Sequence, residues 1–302
     1  MRHLHRRDAV ADAELGTTPD PRESRRALLR TTWSLAWPVI FSFSIESIVG
    51  VADMLMVGRL GRDAVAGVGV GVQILGAANF ALIAVGTGAL AIVARHVGAR
   101  EIGKAEEAVQ QSVLAAIAVA VLVALPVALF APQIIAVSHV EPGVVEAGTP
   151  FVRRVMMAVP SEAVFFVIAS GLRGAGDTRT PLVIGAITAT LSVSAAWVLI
   201  FGHLGLPALG VTGAATATAI GFTVGALLGV LLLARGKLVL RSHWRPFVVR
   251  WEMIRRVMNV GYPAALEHLL VQLGFFVYVY FVAHHGTAPV AAYFIGVRIL
   301  AL

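Results

Sequence analysis

The chain has 302 residues, of which 58% are hydrophobic and 14% charged, with a mean hydropathy of +0.84. A soluble domain of this length carries nearly twice that charge fraction, so the surplus apolar side chains must face lipid rather than a closed core. The net charge of +7 sits in short segments between apolar runs, which excludes a nucleic-acid surface, and the lack of cysteine excludes a disulfide frame or a thiolate metal site.

A membrane helix needs ~20 mainly apolar residues to cross ~30 Å of hydrocarbon. Residues 1–32 are polar and Arg-rich, dotted with Asp8, Asp12, Glu14, Asp20 and Glu23, and read as a disordered cytoplasmic leader without a cleavable signal. Seven apolar stretches follow at 34–57, 64–94, 107–131, 151–172, 180–202, 211–234 and 254–284, and an eighth begins near Ala288. The expected architecture is therefore an all-α polytopic membrane protein. It divides into a six-helix unit over 33–234, a cytoplasmic linker over 235–253, and the start of a second unit over 254–302. Glycine and Pro-Gly breakers separate the spans.

The positive-inside rule sets the orientation. With the N-terminus in the cytoplasm, the inner segments hold seven Arg in the leader. They also hold Arg95, Arg100 and Lys104 in the second connection, Arg173 and Arg179 in the fourth, and seven basic residues from Arg235 to Arg256. The outer side holds Arg59, Arg62, Arg153 and Arg154. Nineteen against four places the N-terminus inside.

An internal repeat connects the two units. Trp37-Pro38 opens the first span and Tyr262-Pro263 the seventh, an offset of 225 residues. In that fixed register Gly61 meets Gly286, and the run Gly71-Val72-Gln73-Ile74-Leu75 meets Gly296-Val297-Arg298-Ile299-Leu300. Six spans separate the copies, so both have the same orientation, a parallel repeat of the kind secondary transporters use. The second copy covers about a span and a half, so its natural end is expected well beyond Leu302.

Ionisable groups inside a membrane cost about 2.5–3.5 kcal/mol each on insertion scales, which makes each one a functional candidate. Glu46 and Asp53 lie in the first span, Glu162 near the middle of the fourth, and Glu267 in the first half of the seventh. Glu46 and Asp53 are seven residues apart, within ~20° of one helix face, and Ser42 and Gly50 continue that stripe. A polar stripe on an apolar helix must face protein or water. Two carboxylates near one cavity can hold a proton. The alternative for each acid is a plain pairing, such as Asp53 with Arg59 six residues on.

Pro38, Pro126, Pro160 and Pro263 sit at or inside spans and permit kinks. Gly221, Gly225 and Gly229 form a small-residue ridge for close helix packing. The loop from Arg173 to Pro181 is a glycine-permitted turn, with Asp177 or Thr178 available to cap the next helix. It lacks the Gly-Lys-Ser/Thr of a phosphate loop. No hydrolase or metal-ligand spacing appears, so neither catalysis, metal nor cofactor is expected.

Several of these pieces resemble the multidrug and toxic compound extrusion (MATE) transporters. They are Trp37-Pro38, the run Val51-Ala-Asp53-Met-Leu-Met-Val-Gly-Arg-Leu-Gly61, and the loop Arg173-Gly-Ala-Gly-Asp-Thr-Arg-Thr-Pro181. Gly213-Ala-Ala-Thr-Ala-Thr218 and Gly261-Tyr-Pro-Ala-Ala-Leu-Glu267 add to them. The resemblance covers about 33–302 and has the flavour of the bacterial DNA-damage-inducible branch. It implies two six-helix lobes around a central cavity, with H⁺ or Na⁺ entering as organic cations leave. Asp53 falls on the family's first-span acid, and Thr218 on a hydroxyl lining that site. The family often has Asn-x-x-x-Asp in the fifth span; here those positions are Ser192 and Ala196, which weakens a sodium site and shifts weight to Asp53 with Glu46. Glu267 stands one turn before the acid some members use in the seventh span.

The expected function is proton-coupled antiport by alternating access in a bacterial or archaeal cytoplasmic membrane, by a protein monomeric when full length. Its substrates would be amphipathic organic cations held against Phe41, Met54, Gln73 and Tyr278. A lipid-linked carrier flippase is the alternative, but its pyrophosphate cargo calls for basic residues in the cavity, and the intramembrane charges here are carboxylates.

Overall fold

The computed structural model describes residues 21–137, 140–235, 240 and 249–283. Eight helices form among them: α1 (Pro21–Gly58), α2 (Arg62–Gly98), α3 (Ile102–Leu129), the short α4 (Ala131–Ala136), α5 (Pro142–Gly174), α6 (Arg179–Phe201), α7 (Val211–Ala234) and α8 (Trp251–Ala283). Six of them, α1, α2, α3, α5, α6 and α7, are long and apolar enough to cross a membrane. They are the six expected spans in the expected order. The seventh stretch, 254–284, coincides with α8; the eighth, from Ala288, lies outside the described residues, as does the leader over 1–20.

Helix ends differ from the hydropathy boundaries because a helix need not stop where lipid does. Residues 21–32 are helical and lead into the first apolar stretch without a break. α5 begins at Pro142, nine residues before its apolar run, and proline suits a helix's first turn, where its missing N–H is no loss. With 33 residues it is ~50 Å long, well beyond the hydrocarbon thickness. The third stretch, 107–131, is divided at Phe130 into α3 and α4, with Pro132 in the first turn of α4. Pro38, Pro126, Pro160 and Pro263 are each carried inside an unbroken helix.

α5 is the central element, packed against α2, α3 and α7. α2 and α5 run in the same direction in near-constant register. Gly67 lies against Gly148, Gly71 against Phe151, Asn79 against Glu162, Gly86 against Phe166, and Gly174 against Leu90. Small residues at these crossings let the backbones approach, as expected where lipid gives helices no reason to associate other than fit. The ridge of Gly221, Gly225 and Gly229 on α7 receives Ser192 and Thr188 of α6 and Phe165 and Ile168 of α5. α8 seats on α2, where Gly88 and Gly261 face the backbone of Val257 and Ala84. α1 packs mainly on α6 and is the least enclosed span.

The connections alternate between the two ends of the bundle. At one end Arg62 pairs with Glu141 at 3.4 Å, Gly143 faces Asp63, and the Arg59 guanidinium lies 5.8 Å from the centre of the Phe201 ring. At the other, Arg250 pairs with Glu107 at 3.0 Å, and Glu101 binds His96 and Lys104. The loop between α5 and α6 closes as expected. Asp177 accepts from the Thr180 backbone N–H (3.0 Å) and hydroxyl (2.6 Å), while Gly176 takes φ 84°, a left-handed turn that glycine tolerates.

Candidate functional site

Hydroxyls on these apolar helices mostly donate back to their own backbone. Ser42 bonds the Pro38 carbonyl at 2.8 Å and Thr218 the Ala214 carbonyl at 3.1 Å, four residues earlier in each case. That geometry hides a polar group from lipid. Ser192 differs: buried, its Oγ donates across to the Ala217 carbonyl of α7 at 3.3 Å. Both Ser192 and Thr218 thus direct their protons within the α6/α7 pair rather than to Asp53. Ala196, at the position where a partner carboxylate would stand, is fully buried.

Asp53 sits on α1, the helix that packs on α6, and is half-buried. Its Oδ1 is closed off from solvent and has no hydrogen-bond partner among the described residues. The pairing with Arg59 does not form, because that guanidinium is drawn onto the Phe201 ring.

Glu162 of α5 accepts a hydrogen bond from Asn79 Nδ2 of α2 at 2.9 Å. Glu46 is exposed on α1, within electrostatic range of Glu162 and of Arg173 in the last turn of α5. The remaining Glu162 oxygen, Oε2, and the Asn79 amide oxygen are both buried without partners among the described residues. Gly50, in the same α1 stripe, is exposed and has no atom within 4 Å of where a Cβ would stand.

Glu267 is exposed on α8, and its neighbour His268 meets the Phe80 ring at 6.2 Å. Phe41, Met54 and Gln73, the cavity candidates, are all exposed on α1 and α2, and Phe41 stacks edge-on against Trp37 at 5.7 Å. A cleft of about 400 Å³ between α3 and α5 is lined by Val121, Leu125, Arg153, Met156 and Met157 among others. Tyr278 belongs to α8, but its side chain lies outside the described residues. Sequence reasoning passed over Asn79, an isolated amide in an apolar run. It also passed over Arg154, whose guanidinium ties α5 to the Thr212 carbonyl of α7 at 3.2 Å. No group of three or more metal-ligating side chains occurs among the described residues.

Known proteins resemble this chain in sequence and in fold. The chain is 26% identical over 283 residues to the probable multidrug resistance protein NorM of Thermotoga maritima, covering 93% of this chain and 61% of that one. It is 25% identical over 276 residues to the probable multidrug resistance protein YoeA of Bacillus subtilis, covering 90% and 60%. The chain thus spans about three fifths of the length of the curated relatives it matches. Among solved structures, the Vibrio cholerae MATE transporter VcmN in its bent form superposes with a TM-score of 0.82 at 22% identity, covering 92% of this chain and 62% of that one. A family model described as MatE matches residues 38–198, from the proline of the first span to the end of the fifth. With more than half of its length so matched and six membrane-length helices in that order, this chain belongs to the MatE family of multidrug and toxic compound extrusion transporters.

Proposed function

We propose that this chain supplies the first lobe, and the start of the second, of an H⁺-coupled antiporter that exports amphipathic organic cations by alternating access, with Asp53 as its coupling acid. The observation that carries the reading is Asp53 Oδ1, buried in an apolar run without a partner among the described residues, with the Arg59 guanidinium over the Phe201 ring. An acid so placed gains or loses a proton at an energetic cost that depends on which side of the membrane reaches it. Ser192 and Ala196 leave no second carboxylate beside it in the fifth span, which favours H⁺ over Na⁺ as the coupling ion. The multidrug resistance names of its relatives support a drug-like cargo, and acids rather than bases inside the membrane support a cationic one. The basic segments favour a cytoplasmic N-terminus.

The test uses the full-length protein in liposomes loaded with a fluorescent organic cation. Efflux should follow an imposed proton gradient and not a sodium gradient. Asp53→Asn should abolish the proton-driven component while leaving substrate binding measurable. Undiminished proton-driven efflux in that variant would refute the coupling role.

A further inference from the structure

Glu162 lies at the centre of the fourth apolar stretch, 12 residues from the end of α5, or ~18 Å along its axis. One oxygen receives the Asn79 amide; the other, Oε2, has less than 1 Å² of exposed surface and no partner, and the Asn79 Oδ1 beside it is in the same condition. Two buried acceptors without donors are costly, and an unpaired buried charge is costlier still.

Among the described residues no cation is bonded to Glu162, and Arg154 and Arg153 stand eight and nine residues before it on α5. From α1 comes Glu46, a second negative charge, and Arg173 stands further along α5 towards its end. α2 has no titratable residue between Asp63 and Arg95, α3 none after Glu107, α6 none after Arg179, and α4 and α7 none at all. α8, packed on α2, brings His268 against Phe80, the residue following Asn79, with Glu267 exposed beside it.

A proton on Oε2 answers both deficits: it removes the buried charge and turns an orphan acceptor into a donor. A hard metal cation does not fit, since such ions take about six oxygens and the cluster presents two. We propose that Glu162, held by Asn79 with its second oxygen buried and unpaired, is a second proton-binding site of this lobe, at mid-membrane and separate from Asp53. Asp53 lies seven residues along α1 from Glu46, about 10 Å away. The site's part in transport rests on the antiporter reading above; its existence does not.

The experiment is acid-minus-alkaline infrared difference spectroscopy on the full-length protein in liposomes. In an Asp53→Asn background a carboxylic C=O band should persist. Adding Glu162→Gln should abolish it, Asn79→Ala should shift its frequency, and Glu46→Gln should shift its titration. A band untouched by Glu162→Gln overturns the proposal. Unmutated protein gives a second reading through a hydrophobic carbodiimide, which attacks protonated carboxyls, with the adduct located by peptide mass spectrometry. Labelling at Glu162 that declines as pH rises supports the site, and no labelling at any pH overturns it. Proton-driven efflux that survives Asp53→Asn would sink the coupling role of Asp53, while the infrared band still decides the case for Glu162.

Discussion

Replacing Gly67 by alanine should loosen the α2/α5 seam on which the Asn79–Glu162 hydrogen bond depends. A Cβ at Gly67 would stand 2.7 Å from the backbone N of Gly148 and 3.0 Å from both its Cα and the Val144 carbonyl oxygen. Comfortable contacts lie at about 3.5–4.0 Å, so the helices must part by roughly 0.5–1 Å at this crossing. All three opposing atoms are backbone, so no side chain can rotate out of the way. Overpacking of this kind costs about 1–3 kcal/mol. Gly69, two residues on, has nothing within 4 Å, and alanine there should stabilise by about 0.5–1 kcal/mol through helix propensity alone. Thermal unfolding of the full-length protein in detergent, followed by tryptophan fluorescence, should rank Gly69→Ala at or above the wild type and Gly67→Ala clearly below it. Equal stabilities for the two variants would refute the assigned packing of α2 on α5.

Gly261→Ala should disturb α8 more severely, because the added carbon would overlap the Ala84 carbonyl; cross-linking between α2 and α8 should fall in that variant while the six-helix lobe keeps its protease resistance. Gln111 is buried and accepts the Arg250 backbone N–H at 2.9 Å, so Gln111→Leu should cost about 1–3 kcal/mol in denaturant titrations by orphaning that donor. Arg250→Ala removes a mostly exposed ion pair with Glu107 and should cost about 0–1 kcal/mol, less in high salt. At the same end of the bundle, hydrogen bonds from Lys104 and then His96 hold the Glu101 carboxyl below its ordinary value of 4.5. A depressed folded value means stability present above the unfolded value and lost as pH falls through the folded one. Glu101→Gln should therefore flatten the stability profile below about pH 4.5, by a small amount since the group is fully exposed.

The spans were legible because hydropathy over ~20 residues is a direct consequence of bilayer thickness, and each of the six stretches from 34 to 234 holds one membrane-length helix. Their ends were not, because helix termini answer to caps and prolines: Pro142 opens α5 nine residues outside its apolar run, and α3 stops at Leu129 within the third stretch. The acids were legible one by one, since a charge in an apolar run stands out. What each acid meets was not. The seven-residue spacing that puts Glu46 and Asp53 on one face says nothing of what lies opposite, and the acid with a side-chain partner, Glu162, finds it on another helix. Asn79 and Glu162 are 83 residues apart, brought together only by the parallel register of α2 and α5, which glycines at 67, 71, 86 and 148 set by close approach. Nothing local to either residue encodes that register.

The two proposed proton sites sit on helices held in very different ways. Glu162 belongs to α5, enclosed by α2, α3 and α7 with fully buried Val155, Met156, Ile168 and Leu172 along its length. Asp53 and Glu46 belong to α1, the least enclosed span, where a Cβ added at Gly50 or Gly58 would meet nothing within 4 Å. On the reading proposed above, a proton on Glu162 is therefore held by an enclosed helix and a proton on Asp53 by one packed mainly on α6, so a shift of α1 against α6 would change access to Asp53 while leaving the Asn79–Glu162 pair in place.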